Sequence, residues 1–501
     1  MGIIKRQGIK STIVNYIGAL IGAIAVLRVY PLNDELYGYA QWLYATALLF
    51  VPFATGGILS LVVKYFPSYN KDDDGHYHGF LTLLLSGLIL FFGLFLLLWF
   101  LFRDAIIRFL EWAHIPQTHL IVENQTYLLG LLGLMILIRF LVQHSANGLR
   151  IVVPDLIEKL GYKIFLPLLI LCSVWFGMNQ TTFAYALLGF FLLVVIVLLI
   201  YLRYLGILRF GPVSRPKGGE SYKEMSKYAF FGSLNLLGTN FSTRLDAVMI
   251  PLFINMLENG FYGKAAFISN VMDYPTRSIT SIASPIISKA WDDKNMSEID
   301  MIYKKASANL FLLGAFVFLV IWFLLDDLIA LSANPATFPN ARNIFLVLAI
   351  GKMADMLTSV NTHILVYSKD YRYNLLFLLI LGIGNIAMNV YFIPRHGIVG
   401  AAMATAISVL LYNIIKSVFI YWRFKLHPFS TGLIKTAVLL ALFIGLYFLL
   451  PSTDFAILNI IYKSFLVGTG YIACAYFWNI SEDANDLGIQ LLNRIFKQDK
   501  T

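Results

Sequence analysis

Long apolar stretches, each near the length of a membrane-crossing helix, recur from one end of this chain to the other. A helix needs about 20 predominantly apolar residues to cross the hydrocarbon layer of a bilayer, and hydropathy predicts fourteen such stretches here. Their predicted bounds are 11–29, 40–63, 79–101, 125–145, 152–176, 182–202, 225–252, 262–288, 307–327, 341–366, 373–393, 398–421, 433–450 and 457–478. We therefore expect an all-α integral membrane protein with about 14 transmembrane helices.

Composition supports the same class. Apolar residues make up 59% of the chain and charged residues 13%, with a mean hydropathy of +0.74. Average soluble proteins have about 45–50% apolar and about 25% charged residues. These values exclude a soluble enzyme, a disordered chain and a nucleic-acid binder with an exposed basic patch. Cys172 and Cys474 both lie in apolar runs, which predicts neither a disulfide framework nor a metal site.

Lysines and arginines predict how the spans are oriented, because cytoplasmic loops are enriched in them. With the N-terminus inside, 26 of the 38 basic residues fall in cytoplasmic segments, which favours an even number of spans and two cytoplasmic termini. Lys5, Arg6 and Lys10 before an apolar run are also compatible with a signal peptide. We interpret the run as an uncleaved first span, because it continues to Leu27.

A basic loop rich in glycine and proline, 209–220, follows the sixth predicted span and predicts a division into lobes. We expect an N-lobe at 1–206, a cytoplasmic linker at 207–224, a C-lobe at 225–422, two further helices within 430–480 and a cytoplasmic tail at 481–501. A Tyr-Gly-x-Ala motif begins at Tyr37 and again at Tyr262, a shift of 225 residues. Both copies open a helix after a short outside loop, as a two-lobed transporter with internal repeats requires.

Polar side chains within the spans form stripes at helical spacing. The span 262–288 places these residues on one face: Asn270, Asp273, Arg277, Ser281, Ser284 and Ser288. The span 341–366 does the same with Lys352, Asp355, Ser359 and His363. The span 225–252 is polar on two faces, so we expect protein or cavity around all of it. Such stripes predict a wet central path.

The ionisable groups in the spans carry a net positive charge. The basic residues are Arg139, Arg244, Arg277, Lys352 and Lys416, and the acidic ones are Asp246, Asp273 and Asp355. Arg28 adds a further positive charge at the outer end of the first span. This balance favours an anionic ligand, and arginine suits bidentate contacts with phosphate.

A structural role competes with ligand binding for each of these groups. Asp273 and Arg277, four residues apart, either neutralise each other or contact a ligand, and Lys352 is expected to pair with Asp355. Arg139 suits a snorkelling or interhelical contact, and Lys416 is expected to snorkel from near a span end. His363 is interpreted as a satisfied core histidine.

The sequence contains no phosphate-binding Walker loop, no His-Glu-x-x-His and no Gly-x-Ser-x-Gly. Asp72, Asp73 and Asp74 with His76 and His78 are compatible with a metal site, but a solvated cytoplasmic loop explains them better. We expect no enzymatic activity, no cofactor and no nucleic-acid partner.

Several stretches resemble polysaccharide exporters of the multidrug/oligosaccharidyl-lipid/polysaccharide (MOP) superfamily. Four stretches of this chain resemble the first two helices of that family: Leu27-Arg28-Val29-Tyr30-Pro31, the Tyr37 motif, Gly56-Gly57 and Lys64-Tyr65-Phe66-Pro67. The seventh loop and eighth helix resemble the Tyr262 motif and Ser284-Pro285-Ile286-Ile287-Ser288. The eleventh and twelfth helices resemble Asn385-Ile386-Ala387-Met388-Asn389 and the run 393–402. The resemblance covers essentially the whole chain in order.

The resemblance implies two six-helix lobes in a V-shaped MOP-type arrangement around a cationic cavity, plus two extra C-terminal helices. It implies a flippase that moves an undecaprenyl-pyrophosphate-linked oligosaccharide across the bacterial cytoplasmic membrane for surface polysaccharide such as O-antigen or capsule. Arg28 and Arg277 fall where the family commonly carries cavity arginines, and Asp246 and Asp273 where acids serve ion coupling or salt bridges. Implied partners are the lipid-linked oligosaccharide, membrane lipids, and a polymerase with chain-length machinery.

Three alternatives remain open. A peptidoglycan lipid-precursor flippase has the same fold and a similar cationic cavity. A cation-coupled multidrug exporter of the superfamily requires a dominant acidic site, whereas these spans carry more bases than acids. A membrane glycosyltransferase or polymerase requires a large outside loop with catalytic acids, and the loop at 102–124 holds only Asp104, Glu111 and Glu123.

The predicted topology places the loop around Gly218 in the cytoplasm. In a background without Cys172 and Cys474, Gly218→Cys is expected to resist an impermeant maleimide on intact cells and to react after permeabilisation. Glu111→Cys, in a predicted outside loop, is the control and should react on intact cells. Labelling of Gly218→Cys from outside would overturn the topology.

Overall fold

A computed structural model describes residues 16–69, 79–148, 150, 152–213, 221–483 and 485–486. These residues form 17 helices and no strand, which confirms the all-α class. The helices are α1 Tyr16–Leu32, α2 Asp34–Thr55, α3 Ile58–Lys64, α4 Phe80–Trp112, α5 His119–Glu123, α6 Gln125–Asn147, α7 Val152–Phe176, α8 Gln180–Tyr204, α9 Tyr222–Phe253, α10 Met256–Asn270, α11 Asp273–Asp292, α12 Met296–Ala330, α13 Ala341–Leu357, α14 Asn361–Tyr367, α15 Arg372–Phe424, α16 Thr431–Tyr447 and α17 Ala456–Phe477.

Every predicted span falls on one or more of these helices, except for residues 11–15, which lie outside the described residues. The spans 373–393 and 398–421 both fall on α15, whose two halves are separated by a break at Gly397 (φ 59°, ψ −140°). By length and composition, seven of the described helices are suited to cross a membrane, or nine if two bent pairs each count as one span. The chain is therefore a multi-pass membrane protein, and a total of fourteen crossings stays a prediction.

Three predicted spans are interrupted. α2 and α3, predicted as one span, meet at 80°, and α13 and α14 meet at 44°. A turn at residues 271–272 separates α10 from α11. The α2–α3 bend depends on Gly57, which has a φ of 79° and whose Cβ, if present, would lie 1.8 Å from the Ala229 carbonyl oxygen. Only glycine fits there.

The chain forms two compact units, and the division into lobes at 207–224 stays a prediction. The first comprises residues 1–263 and 393–398, and the second comprises residues 264–392 and 399–501. α9, predicted to begin the C-lobe, belongs to the first unit.

Within the first unit, α9 completes the backbone hydrogen bonding of α2. Pro52 has no N–H, so it cannot donate to the carbonyl of Leu48 one turn earlier. The Asn240 side-chain amide of α9 donates to that carbonyl at 2.7 Å, and the Ser233 hydroxyl donates to the Pro52 carbonyl at 2.9 Å. Within a membrane-spanning helix, a side-chain amide from a neighbouring helix can satisfy a carbonyl that proline leaves unpaired. Packing thus explains one polar face of α9, whereas Asn235 on the other face is exposed and does not pack against protein.

The two repeat motifs contact each other within this unit. A Cβ on Gly38 would lie 1.9 Å from the Met256 carbonyl oxygen, so the backbones of α2 and α10 touch at this point. The Asn259 side-chain amide donates to the Gly38 carbonyl at 2.8 Å, and the Tyr37 ring covers Gly263. The repeated glycines therefore allow close helix packing.

Within the second unit, a buried ion pair joins α12 to α17. The Lys463 ammonium lies 2.6 Å from the Asp327 carboxylate, and the Asn459 side-chain amide donates to the same carboxylate at 2.8 Å. Phe318 of α12 and Tyr471 of α17 belong to one apolar core. α17, the second of the two extra C-terminal helices, thus packs into this unit.

Gly38→Ala is expected to destabilise the protein by about 1–3 kcal/mol, because the new methyl group overlaps the α10 backbone. The control is Gly93→Ala on α4, where no atom lies within 4 Å of the added Cβ. That variant should be neutral or slightly stabilising, since alanine has the higher helix propensity. Thermal unfolding of the purified proteins in detergent compares them. Equal midpoints for Gly38→Ala and wild type would contradict the close packing.

Candidate anion-binding site

An open pocket of about 750 Å³ runs along α11 in the second unit. Its lining residues are Arg277, Thr280, Ser281, Ser284, Pro285, Ser288, Lys289 and Asp292 of α11, with His363 and Tyr367 of α14. The stripe of arginine and serines predicted from helical spacing therefore lies on one wall of a real cavity. Of the stripe predicted on 341–366, only His363 lines it.

The wall presents hydrogen-bonding groups that α11 does not use fully. Pro285 lacks an N–H, which leaves the Ser281 carbonyl without its usual helical donor beside the pocket. The Ser284 hydroxyl lies 2.7 Å from the Tyr367 hydroxyl. Hydroxyl and carbonyl groups of this kind can bind the hydroxyl groups of a sugar.

Two basic side chains in the pocket lack a neutralising partner. Arg277 and Lys289 are exposed, and neither has a carboxylate within 4.0 Å among the residues that the structure describes. The Arg277 guanidinium carbon lies 5.8 Å from the Tyr274 ring centroid, a contact that leaves its charge available. Asp292 is the one acid in the pocket lining. An anion entering the pocket near Arg277 would therefore meet an uncompensated cation.

Neither Asp273 nor Asp355 binds the basic residue on its own helix. Each contacts a residue of another helix instead. Asp273 binds the Lys352 ammonium through both carboxylate oxygens, each at 2.8 Å, rather than Arg277. Asp355, expected to bind Lys352, accepts instead from the Asn413 side-chain amide at 3.2 Å. In this conformation the Lys352 charge is compensated and the Arg277 charge is not.

Two predictions in the second unit are wrong. Lys416 does not snorkel: it is only 1% exposed, and its ammonium donates to the Thr362 hydroxyl at 2.7 Å and the Tyr412 hydroxyl at 2.6 Å. His363 is not a core histidine, because it lines the pocket with its ring 6.4 Å from that of Tyr367.

The remaining predicted basic residues lie in the first unit, in three different settings. Arg28 is exposed at the end of a wide helical turn, without an ion pair in the described part of the chain. Arg139 lies 3.3 Å from the Glu158 carboxylate, which is 4% exposed, so its interhelical role is supported. Arg244 lies over the Tyr44 ring at 5.3 Å.

Asp246, the acidic site residue predicted in this unit, is hydrogen-bonded to a tyrosine. It accepts a short hydrogen bond from the buried hydroxyl of Tyr262 in the second repeat motif. The sequence placed Asp246 on a polar stripe but did not indicate this partner, because Tyr262 belongs to the next helix.

Sequence reasoning missed Lys289, Asp292 and Tyr367. The signal was present, since Asp292 continues the stripe four residues after Ser288 and Tyr367 follows His363 by one turn. Both lie just past the predicted ends of their spans. The cluster from Asp72 to His78 lies outside the described residues, and within the described ranges no group of three His, Cys, Asp or Glu is arranged to hold a metal.

Comparison with known proteins gives the family. A family model described as "Polysaccharide biosynthesis protein" matches residues 4–291. This chain belongs to that family. No sequence among the curated proteins matches it significantly.

Two solved structures of other proteins share the fold of this chain. The lipid II flippase MurJ, in an inward closed conformation, superposes with a TM-score of 0.73 at 15% identity, over 94% of this chain and 100% of that one. An outward-facing multidrug resistance MATE transporter of the MOP superfamily gives 0.50 at 13% identity, over 84% and 95%. The expected fold is confirmed, and the chain is a multi-pass membrane protein of the polysaccharide biosynthesis family.

The contact between Asp273 and Lys352 is expected to couple α11 to α13. The swap Asp273→Lys with Lys352→Asp should retain more folded protein than either single change, with a coupling of about 1 kcal/mol or less because both side chains are partly exposed. The matched control is Asp273→Arg with Arg277→Asp, which should not restore stability. A double-mutant cycle on thermal unfolding measures both. Recovery by the control swap alone would show that Asp273 pairs with Arg277 instead.

Proposed function

We propose that this protein flips an undecaprenyl-pyrophosphate-linked oligosaccharide from the inner to the outer leaflet of a bacterial cytoplasmic membrane, for surface polysaccharide synthesis. The observation that carries the proposal is Arg277, an exposed guanidinium in a polar pocket with no carboxylate within 4.0 Å among the described residues. A planar guanidinium binds phosphate oxygens in pairs, which suits a pyrophosphate group.

The order of groups along α11 fits an amphiphilic ligand with one charged segment. Arg277 and Lys289 are twelve residues apart, or about 18 Å along a helix, so we assign the pyrophosphate to Arg277 rather than to both. Ser281, Ser284 and Tyr367 lie between them and supply hydroxyl groups. In this proposal the pyrophosphate binds at Arg277, and the first sugars extend along the serines towards Lys289.

Basic residues of the first unit are proposed as further anion contacts. Arg28 supplies positive charge to the anion in another stage of transport, and Arg244, which has no ion pair within the described ranges, is a secondary contact. Arg139 and Lys352, which have acidic partners, act mainly by fixing helices. Asp246, Asp273 and Asp355 serve as salt-bridge or coupling groups.

The proposed activity is transport alone, without a covalent step or a cofactor. A bacterial inner-membrane location, cytoplasmic termini, and cooperation with a polysaccharide polymerase and chain-length machinery follow from the proposed pathway. A peptidoglycan precursor flippase is the second candidate, favoured by the fold shared with MurJ at a TM-score of 0.73. A multidrug exporter is disfavoured, because the pocket carries uncompensated bases instead of a dominant acid.

Deletion of the gene in its host distinguishes these candidates. Mass spectrometry of the lipid fraction is expected to show a lipid-linked oligosaccharide that accumulates in the deletion strain. The identity of that glycan names the cargo. Accumulation of a peptidoglycan precursor, or rescue of a strain that lacks its own precursor flippase, would favour the second candidate. No accumulated lipid-linked glycan would contradict both.

Arg277→Ala is expected to abolish export and Arg277→Lys to retain part of it, because lysine keeps the charge but loses the bidentate geometry. Arg28→Ala should reduce export. The measurement is surface polysaccharide in the complemented deletion strain, normalised to membrane-inserted protein. Arg108→Ala, which removes an exposed arginine outside the pocket, is the control and should export normally. If well-inserted Arg277→Ala, Arg28→Ala and their double variant all exported at the normal rate, neither arginine would be the anion site.

A further inference from the structure

The predicted span 341–366 is broken between α13 and α14, which meet at 44°, and α15 fills the break with polar side chains. The Thr358 hydroxyl donates to the Asn413 side-chain oxygen at 2.9 Å, and the Asn361 side-chain amide donates to the Ser417 hydroxyl at 2.9 Å. Irregular backbone inside a membrane span is tolerated only where protein or a water-filled cavity satisfies its N–H and C=O groups. In transporters, broken helices of this kind often surround a bound ion.

Lys416 occupies the centre of this polar cluster. Its ammonium lies 2.7 Å from the Thr362 hydroxyl and 2.6 Å from the Tyr412 hydroxyl, and 4.5 Å from the Tyr412 ring centroid. Asp355 is the acidic residue whose charge acts on it, and His363 is a nearby titratable group on α14. Asn413 connects Asp355 to Thr358, since its amide donates to the carboxylate at 3.2 Å.

Two other lysines of this unit are neutralised directly by carboxylates, whereas buried Lys264 donates to the Thr337 hydroxyl. Lys463 binds the Asp327 carboxylate directly, and Lys352 binds Asp273 directly. Lys416 has no carboxylate within 4.0 Å in the described ranges, and neutral hydroxyl oxygens take its hydrogen bonds. Neutral oxygens are the kind of ligand that hard cations prefer, and the Asp355 carboxylate joins the cluster through Asn413 rather than by touching the ammonium.

We infer that the ammonium group of Lys416 is a resident cation: it occupies an oxygen-lined cation site at the break between α13 and α14 and makes an ion from solution unnecessary there. Removal of the lysine beyond Cβ would leave a cavity with hydroxyl oxygens and the uncompensated Asp355 carboxylate. A small monovalent cation would then enter that cavity. The consequence for transport rests on the proposed function, whereas the cation site itself does not.

The first test is the thermal stability of purified Lys416→Ala in detergent. Choline chloride, whose cation is too large for the cavity, is replaced at constant ionic strength by ammonium, methylammonium or sodium chloride. Lys416→Ala is expected to unfold several degrees below wild type in choline and to recover saturably with ammonium or methylammonium, because a ligand that binds the folded state stabilises it. Wild type should unfold at the same temperature in all four salts.

Two variants serve as controls. Lys416→Met fills the cavity without a charge and should not respond to ammonium. Lys435→Ala removes an exposed lysine of the same unit that donates to the carbonyls of Trp478 and Asn479, and it too should not respond. If Lys416→Ala folds too poorly in choline, the yield of folded protein after purification in ammonium and in choline gives the same comparison. No difference between the salts for Lys416→Ala in either measurement would overturn the inference.

The second test measures flipping of a lipid-linked oligosaccharide in proteoliposomes. Lys416→Ala should flip several-fold faster in ammonium than in choline, whereas wild type should be indifferent to the salt. If wild type does not flip the lipid but Lys416→Ala is stabilised by ammonium, the proposed function fails and the cation site stands. If wild type flips the lipid and Lys416→Ala responds to no cation in either test, the inference fails and the proposed function stands.

Discussion

An ionised side chain at the centre of a membrane-spanning helix costs roughly 2.5–3.5 kcal/mol on insertion scales, so it needs a partner or a polar cavity. In this protein that requirement is met mainly between helices. Arg139 binds Glu158, Lys352 binds Asp273, and Lys463 binds Asp327, each across two helices. These contacts fix helices to their neighbours and remove the charges involved from competition for a ligand. Arg277 then stands out because it lies in a pocket and has no such partner in the described part of the chain.

The same requirement applies to the backbone, and here neighbouring helices again supply the missing groups. The carbonyl that Pro52 leaves unpaired in α2 accepts from Asn240 of α9. The break after α13 is filled by side chains of α15, among them Asn413 and Lys416. Polar residues in the spans therefore do more than form ion pairs. Some hydrogen-bond to irregular helices, and others line the pocket on α11.

Hydropathy and helical spacing predicted much of this arrangement. Within the described residues the apolar stretches fall on helices, and the stripe from Arg277 to Ser288 lies on one wall of the pocket, because both patterns depend on residues close in sequence. The partners of the charged groups were not predictable in the same way. Lys352 was assigned to Asp355 within its own helix, but its partner is Asp273, 79 residues away. Lys416 was expected to snorkel from its distance to a span end, since the sequence does not reveal that Thr362 and Tyr412 surround it.

The central claim is that the Arg277 pocket binds the pyrophosphate of a lipid-linked oligosaccharide. Native mass spectrometry of the purified protein with undecaprenyl pyrophosphate tests it without relying on transport. The account predicts a bound lipid for wild type, at least about tenfold weaker binding for Arg277→Ala, and little binding of uncharged undecaprenol to either protein, because a charged bidentate contact contributes on the order of 1.5–3 kcal/mol. Equal binding of undecaprenyl pyrophosphate by wild type and by folded Arg277→Ala would contradict it.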